Sequence, residues 1–175
     1  TKVTTAGGRV TGVDYETAEG PGHIAADVIV NCGGMWGRDL ALQNGVTLPL
    51  HACEHFYLIT EPVAGIDLNL PVLRVPDECA YYKQDAGKMM LGAFEPKAKP
   101  WGMEGIRKDF EFDTLPEDWD HFMPILEHAM NRMPLIQTAG IHTFFNGPES
   151  FTPDDRYYLG EAPEVKGYWI AAGYN

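Results

Sequence analysis

The chain has 175 residues, of which 45% are hydrophobic and 11% aromatic, and it carries a formal net charge of −12. This composition is typical of a folded protein, and the length suffices for one domain or for parts of two. The acidic excess argues against nucleic acid and anionic membranes as partners, because both bind clustered lysine or arginine. No apolar stretch approaches the roughly 20 residues that span a bilayer, so we expect no membrane insertion.

The cysteines indicate the redox compartment of the protein, and the two ends of the chain indicate whether further sequence is expected. The cysteines, Cys32, Cys53 and Cys79, form no disulfide framework, which indicates a reducing compartment. The cytoplasm of a bacterium or the mitochondrial matrix provides one. The chain begins with Thr1 instead of methionine and stops after a strand-like segment that runs up to Asn175. We therefore expect further sequence on both sides.

The first 45 residues indicate a β-hairpin, a buried strand and a short helix. β-branched residues alternate with polar ones on either side of Gly7-Gly8, which supplies the hairpin turn. Residues 28–30 are consecutively apolar, as in a strand that is covered on both faces of its sheet. A helix over residues 35–44 should follow and should end at Gly45.

The middle of the chain predicts an antiparallel sheet and one long helix. Turns that contain proline and glycine separate several strand-like stretches. The helix opens at residues 115–118, with a proline and two acids in its first turn, and Pro134 ends it. The strand-like stretches are residues 48–60, 72–75, 80–84 and 88–94, and the apolar helix face comprises Trp119, Phe122, Met123, Leu126, Met130 and Met133.

The end of the chain returns to the pattern of its beginning. A strand over residues 141–145 precedes a loop rich in glycine, proline and aspartate, 146–156, and the last strand covers residues 168–172. The expected fold class is therefore α+β, in which an incomplete nucleotide-binding α/β layer brackets a mainly antiparallel sheet with one long helix. The predicted domains are 1–45 for the first part of the α/β layer, 46–145 for the inserted domain, and 146–175 for the return.

Glycines at the end of the early strand mark one candidate site. Gly33 and Gly34 follow that strand and precede the predicted helix. Such a turn lets a ligand approach the backbone closely and directs helix N–H groups at a phosphate. An ordinary strand-to-helix turn explains the pattern equally well. A full Gly-x-Gly-x-x-Gly fingerprint is absent from the 175 residues.

The inserted domain offers a second candidate site. His51, Cys53 and His55 share one face of a predicted strand and suggest zinc. However, same-face neighbours on a straight strand are about 7 Å apart, too far for three ligands to converge on one ion, and a fourth ligand is not evident. The favoured interpretation is a single histidine that faces a ligand cavity. Tyr81 and Tyr82 lie on opposite faces of another strand, so one can face a cavity while the other packs on the helix.

Six sequence blocks point to one family. They are VIVNCGGMW (28–36), EHFYLITEP (54–62), LRVPDECAYY (73–82), GAFEP (92–96), FNGPESFTPD (145–154) and GYWIAAGYN (167–175). In order and spacing these blocks resemble the FAD-dependent amine oxidoreductases of the D-amino-acid oxidase family, in particular the dimethylglycine and sarcosine dehydrogenase branch. The resemblance covers essentially the whole chain.

This resemblance implies a FAD domain and a substrate domain. His55 and Tyr81 then line the substrate side. A reacting amine must first lose its proton, which a histidine can accept because it titrates near neutral pH; Tyr81 can hydrogen-bond the substrate and relay the proton. The implied cofactor contacts are Val3, which approaches the adenine half of FAD, then Cys32, Gly33, Gly34 and Trp36 of the early turn, and Gly173, Tyr174 and Asn175 of the last turn.

The implied activity is oxidation of an N-methylated amino acid, of the dimethylglycine or sarcosine type, by hydride transfer to FAD. An electron-transfer flavoprotein is a potential partner, and tetrahydrofolate a potential second cofactor through a downstream domain. The pyrophosphate-binding glycine motif and any histidine that attaches FAD covalently would lie upstream, so the mode of attachment stays open. The alternative is a non-catalytic homologue related to the regulatory subunit of pyruvate dehydrogenase phosphatase. The 175-residue segment alone is expected to be inactive.

Overall fold

A computed structural model describes residues 1–174, and Asn175 lies outside the described residues. The chain divides into two compact units. Unit 1 contains residues 1–53, 100–110 and the segment from 149 onward, and unit 2 contains residues 54–99 and 111–148. No helix within residues 1–174 is both long and apolar enough to cross a membrane.

Unit 1 begins with a three-stranded antiparallel sheet made of β1 (Lys2–Ala6), β2 (Arg9–Thr17) and β3 (Gly20–Ala25). The predicted hairpin is confirmed, with Gly7 and Gly8 at φ +56° and +74°, values that glycine adopts without steric cost. The third strand was not predicted, because its glycines and proline have the composition of a turn. A Cβ at Gly22 would lie 2.4 Å from Cζ and the hydroxyl oxygen of Tyr15, so glycine leaves room for that ring over β3.

The second sheet of unit 1 has the order β11 (Tyr158–Glu161), β12 (Tyr168–Ala172), β4 (Ile29–Asn31). Strand β12 is parallel to β4 and antiparallel to β11. A short 3₁₀ turn and helix α1 (Gly37–Leu42) follow β4. The core of this unit consists of Val3, Val10, Ala41, Val46, Leu48, Leu50, Ala162, Val165, Tyr168, Ile170 and Ala172.

The prediction that residues 28–30 are buried on both faces is wrong. Val28 and Val30 are 54% and 56% exposed, whereas Asn31 is buried. Alternate residues of a strand point to opposite faces, and only one face of β4 is covered within residues 1–174. The exposed face continues onto β12 and β11 through Trp169 and Leu159.

The largest sheet has the order β10-β5-β8-β7-β6, and the two-residue strand β9 (Lys99–Pro100) pairs with β5. Adjacent strands β5 and β8, β8 and β7, and β7 and β6 are antiparallel, as predicted. The bounds of these strands are His51–Thr60 for β5, Leu73–Val75 for β6, Ala80–Asp85 for β7, Lys88–Ala93 for β8 and Ile141–Phe151 for β10.

Strand β10 is longer than expected. Residues 146–151 belong to it, although their glycine and proline content predicted a loop. Because β10 is the edge strand of its sheet, Pro148 is tolerated there without the loss of an interior ladder bond. The loop that remains is limited to the residues between β10 and β11.

The long helix α2 (Trp119–Arg132) begins after Asp118, whose side chain accepts a hydrogen bond from the His121 N–H as an N-cap. The helix therefore starts later than predicted, and its end before Pro134 is confirmed. Its buried stripe also differs from the prediction, because Met123 is exposed. The fully buried helix residues are Phe122, Ile125 and Ala129.

Residues 100–110 lie in unit 1, although the sequence placed them in the inserted domain. Contacts within unit 1 explain the difference. The Trp101 N–H donates to the Ala52 carbonyl at 2.8 Å, and the Ile106 N–H donates to the Asp39 carboxylate at 3.3 Å. The apolar residues of this segment do not recur at helix or strand spacing, so the sequence pattern does not reveal these long-range hydrogen bonds.

Candidate functional site

One row of side chains crosses the open face of the large sheet in unit 2. The strand register pairs Tyr57 with Gly92, Gly92 with Tyr81, and Tyr81 with Arg74. Residues directly opposite each other in antiparallel strands share a face of the sheet. Tyr57, Gly92, Tyr81 and Arg74 therefore lie side by side across β5, β8, β7 and β6.

The glycine in this row makes room for Tyr81. A Cβ at position 92 would lie 1.9 Å from Cζ of the Tyr81 ring, far closer than two non-bonded carbon atoms can approach. The phenol ring thus lies across β8, on the side of β5. Glycine at position 92 therefore leaves the space in which the Tyr81 ring lies.

Phe94, immediately after β8, contacts three functional groups. Its ring centroid lies 5.5 Å from that of Tyr81 and 6.5 Å from that of His55. The guanidinium carbon of Arg74 lies 4.2 Å from the same centroid. An imidazole, a phenol and a guanidinium are thereby gathered around one benzene ring.

His55 and Glu95 form a hydrogen-bonded pair. The Nδ1 of His55 lies 2.8 Å from Oε2 of Glu95, and Oε1 of Glu95 accepts the Phe56 N–H at 2.9 Å. The two side chains are 20% and 5% exposed. An ionised carboxylate only accepts hydrogen bonds, so the pair assigns the ring proton to Nδ1 and the lone pair of the neutral ring to Nε2.

Sequence reasoning identified His55 and Tyr81 but missed Glu95, Phe94 and Arg74. The structure brings all five together in unit 2. The available signal was that Glu95 lies in the GAFEP block and that β8 was predicted to be antiparallel to its neighbours. The exact register, which places Glu95 beside His55, could not be deduced from that.

A second polar network joins β5 to the residues that precede helix α2. Asn146, which is buried, donates through Nδ2 to Glu54 Oε2 at 2.7 Å and to the Pro116 carbonyl at 2.8 Å. Lys99 bridges Glu54 at 3.1 Å and Asp118 at 2.8 Å. The Lys99 ammonium and the His121 N–H lower the pKa of Asp118 below its usual value. This network connects the N-cap of α2 to the strand that carries His55.

The opposite face of the same strands forms the core of unit 2. Tyr82 is 1% exposed, and its hydroxyl has no hydrogen-bond partner within residues 1–174. Burial, together with the charge of Glu78, raises the pKa of Tyr82. Tyr82 therefore packs against the helix, whereas Tyr81 faces the open side, and the predicted division of the two tyrosines is confirmed.

The zinc interpretation gains no support. His51 Nδ1 and Cys53 Sγ are 3.7 Å apart, closer than the spacing of same-face residues on a straight strand. Among the side chains of residues 1–174, however, no three His, Cys, Asp or Glu are grouped so that they could hold a metal ion.

In unit 1 the early turn is organised by Asn31. Its Oδ1 accepts the Gly33 N–H at 3.0 Å, and its Nδ2 donates to the Gly37 carbonyl and the Tyr168 hydroxyl. A Cβ at Gly33 would lie 3.0 Å from Asn31 Oδ1, whereas a Cβ at Gly34 would meet nothing. A side chain at Gly33 would thus crowd Asn31, whereas open space lies at Gly34, where φ is +53°.

The remaining residues of the early turn point outward, since Cys32 and Trp36 are exposed. Val3 behaves differently. Its side chain is buried in the core of unit 1, and its carbonyl accepts a hydrogen bond from Asn44 Nδ2 at 2.9 Å. The Val3 side chain is therefore enclosed by the protein itself.

The last turn follows β12 at Gly173, where φ is +77°. A Cβ there would lie 2.6 Å from Thr152 Cγ2, so this position requires glycine. The Thr152 Oγ1 is buried and lacks a hydrogen-bond partner among the described residues. Tyr174 is exposed and stacks on Tyr157 with a centroid distance of 5.0 Å. Asn175 lies outside the described residues.

The two turns of unit 1 lie at the same edge of one sheet. Tyr168, Trp169 and Ile170 of β12 pair in parallel with Ile29, Val30 and Asn31 of β4. The glycine turns come directly after these neighbouring parallel strands. In open α/β sheets, ligands bind outside the carboxyl ends of such strands, so the fold brings Gly34 and the Gly173 turn to a position typical of a nucleotide site.

Comparison with known proteins defines the class. The whole chain, residues 1–175, matches the family model described as FAD dependent oxidoreductase (DAO). The chain therefore belongs to this family, and the resemblance seen in the sequence is confirmed.

Particular relatives are similar over most of the chain. The chain is 41% identical to the mitochondrial pyruvate dehydrogenase phosphatase regulatory subunit of Mus musculus over 96% of its length. It is 38% identical to 4-methylaminobutanoate oxidase (formaldehyde-forming) of Paenarthrobacter nicotinovorans over 88%, and 36% identical to human mitochondrial sarcosine dehydrogenase over 95%. It spans only 19%, 19% and 17% of these three relatives.

Solved structures show the same fold. The L-proline dehydrogenase of P. horikoshii superposes with a TM-score of 0.75 at 19% identity, over 99% of this chain and 43% of that one. The glycine oxidase of Geobacillus kaustophilus gives a TM-score of 0.70 at 22% identity, over 99% and 41%. The expected α+β fold class is thus confirmed.

Proposed function

We propose that the protein containing this chain is a FAD-dependent dehydrogenase or oxidase that oxidises an N-methylated amino acid of the dimethylglycine or sarcosine type. The observation that carries the proposal is the His55–Glu95 pair beside Tyr81 on the open face of unit 2. Membership of the FAD-dependent oxidoreductase family and the similarity to sarcosine dehydrogenase and 4-methylaminobutanoate oxidase support it.

Unit 1 is proposed to hold the cofactor. Gly34 offers open space at the backbone, Gly173 makes a turn that excludes any side chain, and Thr152 Oγ1 is a buried group in need of a partner. These features fit a dinucleotide at the carboxyl ends of β4 and β12. The proposed contacts are the Val3 backbone and Cys32, Gly33, Gly34, Trp36, Gly173, Tyr174 and Asn175. When bound, FAD supplies the hydride acceptor of the reaction.

Proton handling is assigned to unit 2. A free N-methylated amino acid is mainly an ammonium ion near neutral pH, and its nitrogen must be neutral for the methyl carbon to give up a hydride. The Nε2 of His55 takes that proton, while the Glu95 carboxylate holds the ring through Nδ1 and stabilises the imidazolium. The Tyr81 hydroxyl hydrogen-bonds the substrate nitrogen and relays the proton to His55.

The proposal also covers the compartment of the protein and the acceptors of the electrons and of the methyl carbon. The names of the mouse and human relatives place those proteins in mitochondria, and another relative is from Paenarthrobacter nicotinovorans. We propose the mitochondrial matrix or a bacterial cytoplasm for this protein, electron-transfer flavoprotein as an electron acceptor, and tetrahydrofolate as an acceptor of the methyl carbon. Acid precipitation, which leaves covalently attached flavin with the protein, decides the mode of FAD attachment.

Anaerobic flavin reduction tests the function. The flavin absorbance of the full-length, FAD-loaded protein should bleach when sarcosine or dimethylglycine is added. In His55→Ala the rate should fall and lose its dependence on pH across the neutral range, because the proton acceptor is gone. A pH profile of flavin reduction that is identical in wild type and His55→Ala would contradict the role of His55.

A second candidate is a regulatory flavoprotein. The 41% identity to a pyruvate dehydrogenase phosphatase regulatory subunit favours it. The same titration separates the two candidates. A protein that binds FAD but whose flavin stays oxidised with both amines, and with other N-methylated amino acids, would support the regulatory function instead of the catalytic one.

A further inference from the structure

Two stacked aromatic rings extend the row of side chains on the open face of unit 2. Tyr57 of β5 and Phe145 of β10 have ring centroids 4.6 Å apart, with 14° between the ring planes. Both residues are half-buried, so each keeps part of its surface exposed. Since β10 and β5 are neighbouring strands, the stacked pair lies at the end of the row that also contains Gly92 and Tyr81.

Glycines in the row leave space in which its rings lie close to the sheet. A Cβ at Gly147 would lie 2.5 Å from Cε1 of Phe145, so the Phe145 ring covers a glycine of its own strand. Gly92, which pairs with Tyr57, lies in the same way under the Tyr81 ring. The Tyr81 hydroxyl oxygen is 2.4 Å from the Cβ position of Gly92. This hydroxyl therefore lies over β8, about 4.8 Å, one strand spacing, from the strand that carries Tyr57.

We propose that the Tyr57 ring, held in place by Phe145, binds the N-methylated ammonium group of the substrate by a cation–π interaction. The substrate then binds in its protonated form, and His55 and Tyr81 take the proton from the group that Tyr57 holds. The proposal rests on the proposed function, because it assigns a site for the cationic end of the same substrate. Tyr57 is thereby a specificity-determining residue, which favours an N-methylated ammonium over an uncharged group of the same shape.

The chemistry of an aromatic ring suits this role. The electron-rich face attracts a cation within about 6 Å of the ring centroid, and methylated ammonium groups are common ligands of such faces. The stack on Phe145 fixes the Tyr57 ring, so little side-chain freedom is lost when the cation binds. Phe94, by contrast, already holds the Arg74 guanidinium at 4.2 Å from its centroid. The Tyr57–Phe145 pair is therefore the better placed aromatic surface for an external cation.

A purely structural role for the stacked pair makes a different prediction. Aromatic pairs on adjacent strands stabilise a sheet, and a pair with no other role would not distinguish a cation from an uncharged ligand. Betaine, (CH₃)₃N⁺–CH₂–COO⁻, and the tert-butylacetate anion, (CH₃)₃C–CH₂–COO⁻, separate the two explanations, because they share shape and carboxylate and differ only in the charged atom. Betaine carries no proton on its nitrogen, so its binding does not require a proton acceptor.

Calorimetric titration of the FAD-loaded, full-length protein measures the dissociation constants of both probes. The wild type should bind betaine about two- to thirtyfold more tightly than tert-butylacetate, the range of a cation–π interaction. In Tyr57→Leu this preference should disappear through weaker binding of betaine, whereas Tyr57→Phe, which keeps the ring, should retain it.

Tyr15→Leu provides a matched control. Tyr15 is a half-buried tyrosine that also lies over a glycine of an adjacent antiparallel strand, Gly22, but it belongs to unit 1. This substitution should leave both dissociation constants unchanged.

Two outcomes would overturn the inference. One is a wild type that does not bind betaine, or binds it no better than tert-butylacetate. The other is a Tyr57→Leu variant that keeps the wild-type preference; an equal weakening of both probes belongs here and would mean that the ring supplies apolar surface only. The proposed function fails separately. If the probes behave as expected but neither sarcosine nor dimethylglycine reduces the flavin, the protein binds N-methylated ammonium compounds without oxidising them.

Discussion

The two faces of the large sheet in unit 2 use the same strands for opposite purposes. On one face, Phe56 and Tyr82 are fully enclosed beneath helix α2. On the other, their immediate neighbours His55 and Tyr81 lie on the open side with Arg74. Successive side chains of a strand point to opposite faces. Within residues 54–57 and 80–82, neighbouring side chains therefore belong in turn to the buried core and to the candidate site.

The backbone that the two faces share keeps the candidate site in place. The buried face supplies the hydrophobic stabilisation of the unit. The same backbone positions the side chains of the open face. Gly92 and the Glu95–Phe56 hydrogen bond are the direct links, since one positions Tyr81 and the other positions His55. Substitutions on the buried face should therefore change stability, and substitutions on the open face should change chemistry.

The largest effect on stability is expected at Phe56. Phe56→Ala removes a fully buried ring that packs against Phe122 and Phe144, and the free energy of unfolding should fall by about 3–5 kcal/mol. Tyr57→Ala, its neighbour on the open face, removes a stack on Phe145 and should cost about 1 kcal/mol. Urea denaturation of both variants measures the difference. Equal losses would show that the two faces are not energetically distinct.

A smaller loss of stability is expected at Gly92, together with a specific loss of function. In Gly92→Ala the new Cβ would occupy the place of the Tyr81 ring, which must move toward the open side. Overpacking of this kind costs about 1–3 kcal/mol, while flavin reduction by sarcosine should be strongly impaired because Tyr81 is displaced. Thermal unfolding and flavin reduction are measured on the same sample. Unimpaired reduction would contradict the assigned orientation of Tyr81.

The smallest effect is expected at Tyr82. Its hydroxyl has no partner among the described residues, so Tyr82→Phe should change the free energy of unfolding by no more than about 1 kcal/mol near neutral pH, with either sign. Burial raises the pKa of Tyr82, so the folded state keeps the phenol proton at a pH where the unfolded state has lost it. Wild-type stability should thus decline as the pH rises above about 10.

Tyr82→Phe removes one group responsible for that alkaline decline. Burial also raises the pKa of Tyr168 in unit 1, an effect that its hydrogen bond with Asn31 opposes. Part of the decline should therefore persist in Tyr82→Phe. Equilibrium unfolding measured between neutral and alkaline pH provides the comparison, and an identical decline in wild type and variant would contradict the assignment.

Local patterns predicted much of the fold. Alternating residues and paired glycines marked the hairpin of β1 and β2, and apolar runs between turns marked β5 to β8 and β12. The features that depend on long-range packing were missed. Val28 and Val30 looked buried because consecutive apolar residues do not reveal whether both faces of a strand are covered. Residues 146–151 looked like a loop because tolerance of Pro148 depends on its place at a sheet edge.

Only the part of the candidate site that depends on local sequence could be predicted. His55 and Tyr81 could be found because each lies in a block that resembles the family, and the face of a residue follows from strand alternation. The positions of Glu95 beside His55 and of Arg74 opposite Tyr81 depend on how the strands pair. A shift of one residue would move either side chain to the other face, and a single sequence does not contain the register.

The assignment of proton handling to the open face of unit 2 predicts different rates of flavin reduction in two single-hydroxyl variants. Tyr81→Phe and Tyr82→Phe remove the same group from adjacent residues, one on the open face and one in the core. With sarcosine under anaerobic conditions, Tyr81→Phe should reduce its flavin about a hundredfold more slowly than wild type, whereas Tyr82→Phe should remain close to wild type. Similar rates in the two variants would contradict the assignment of proton handling to the open face of unit 2.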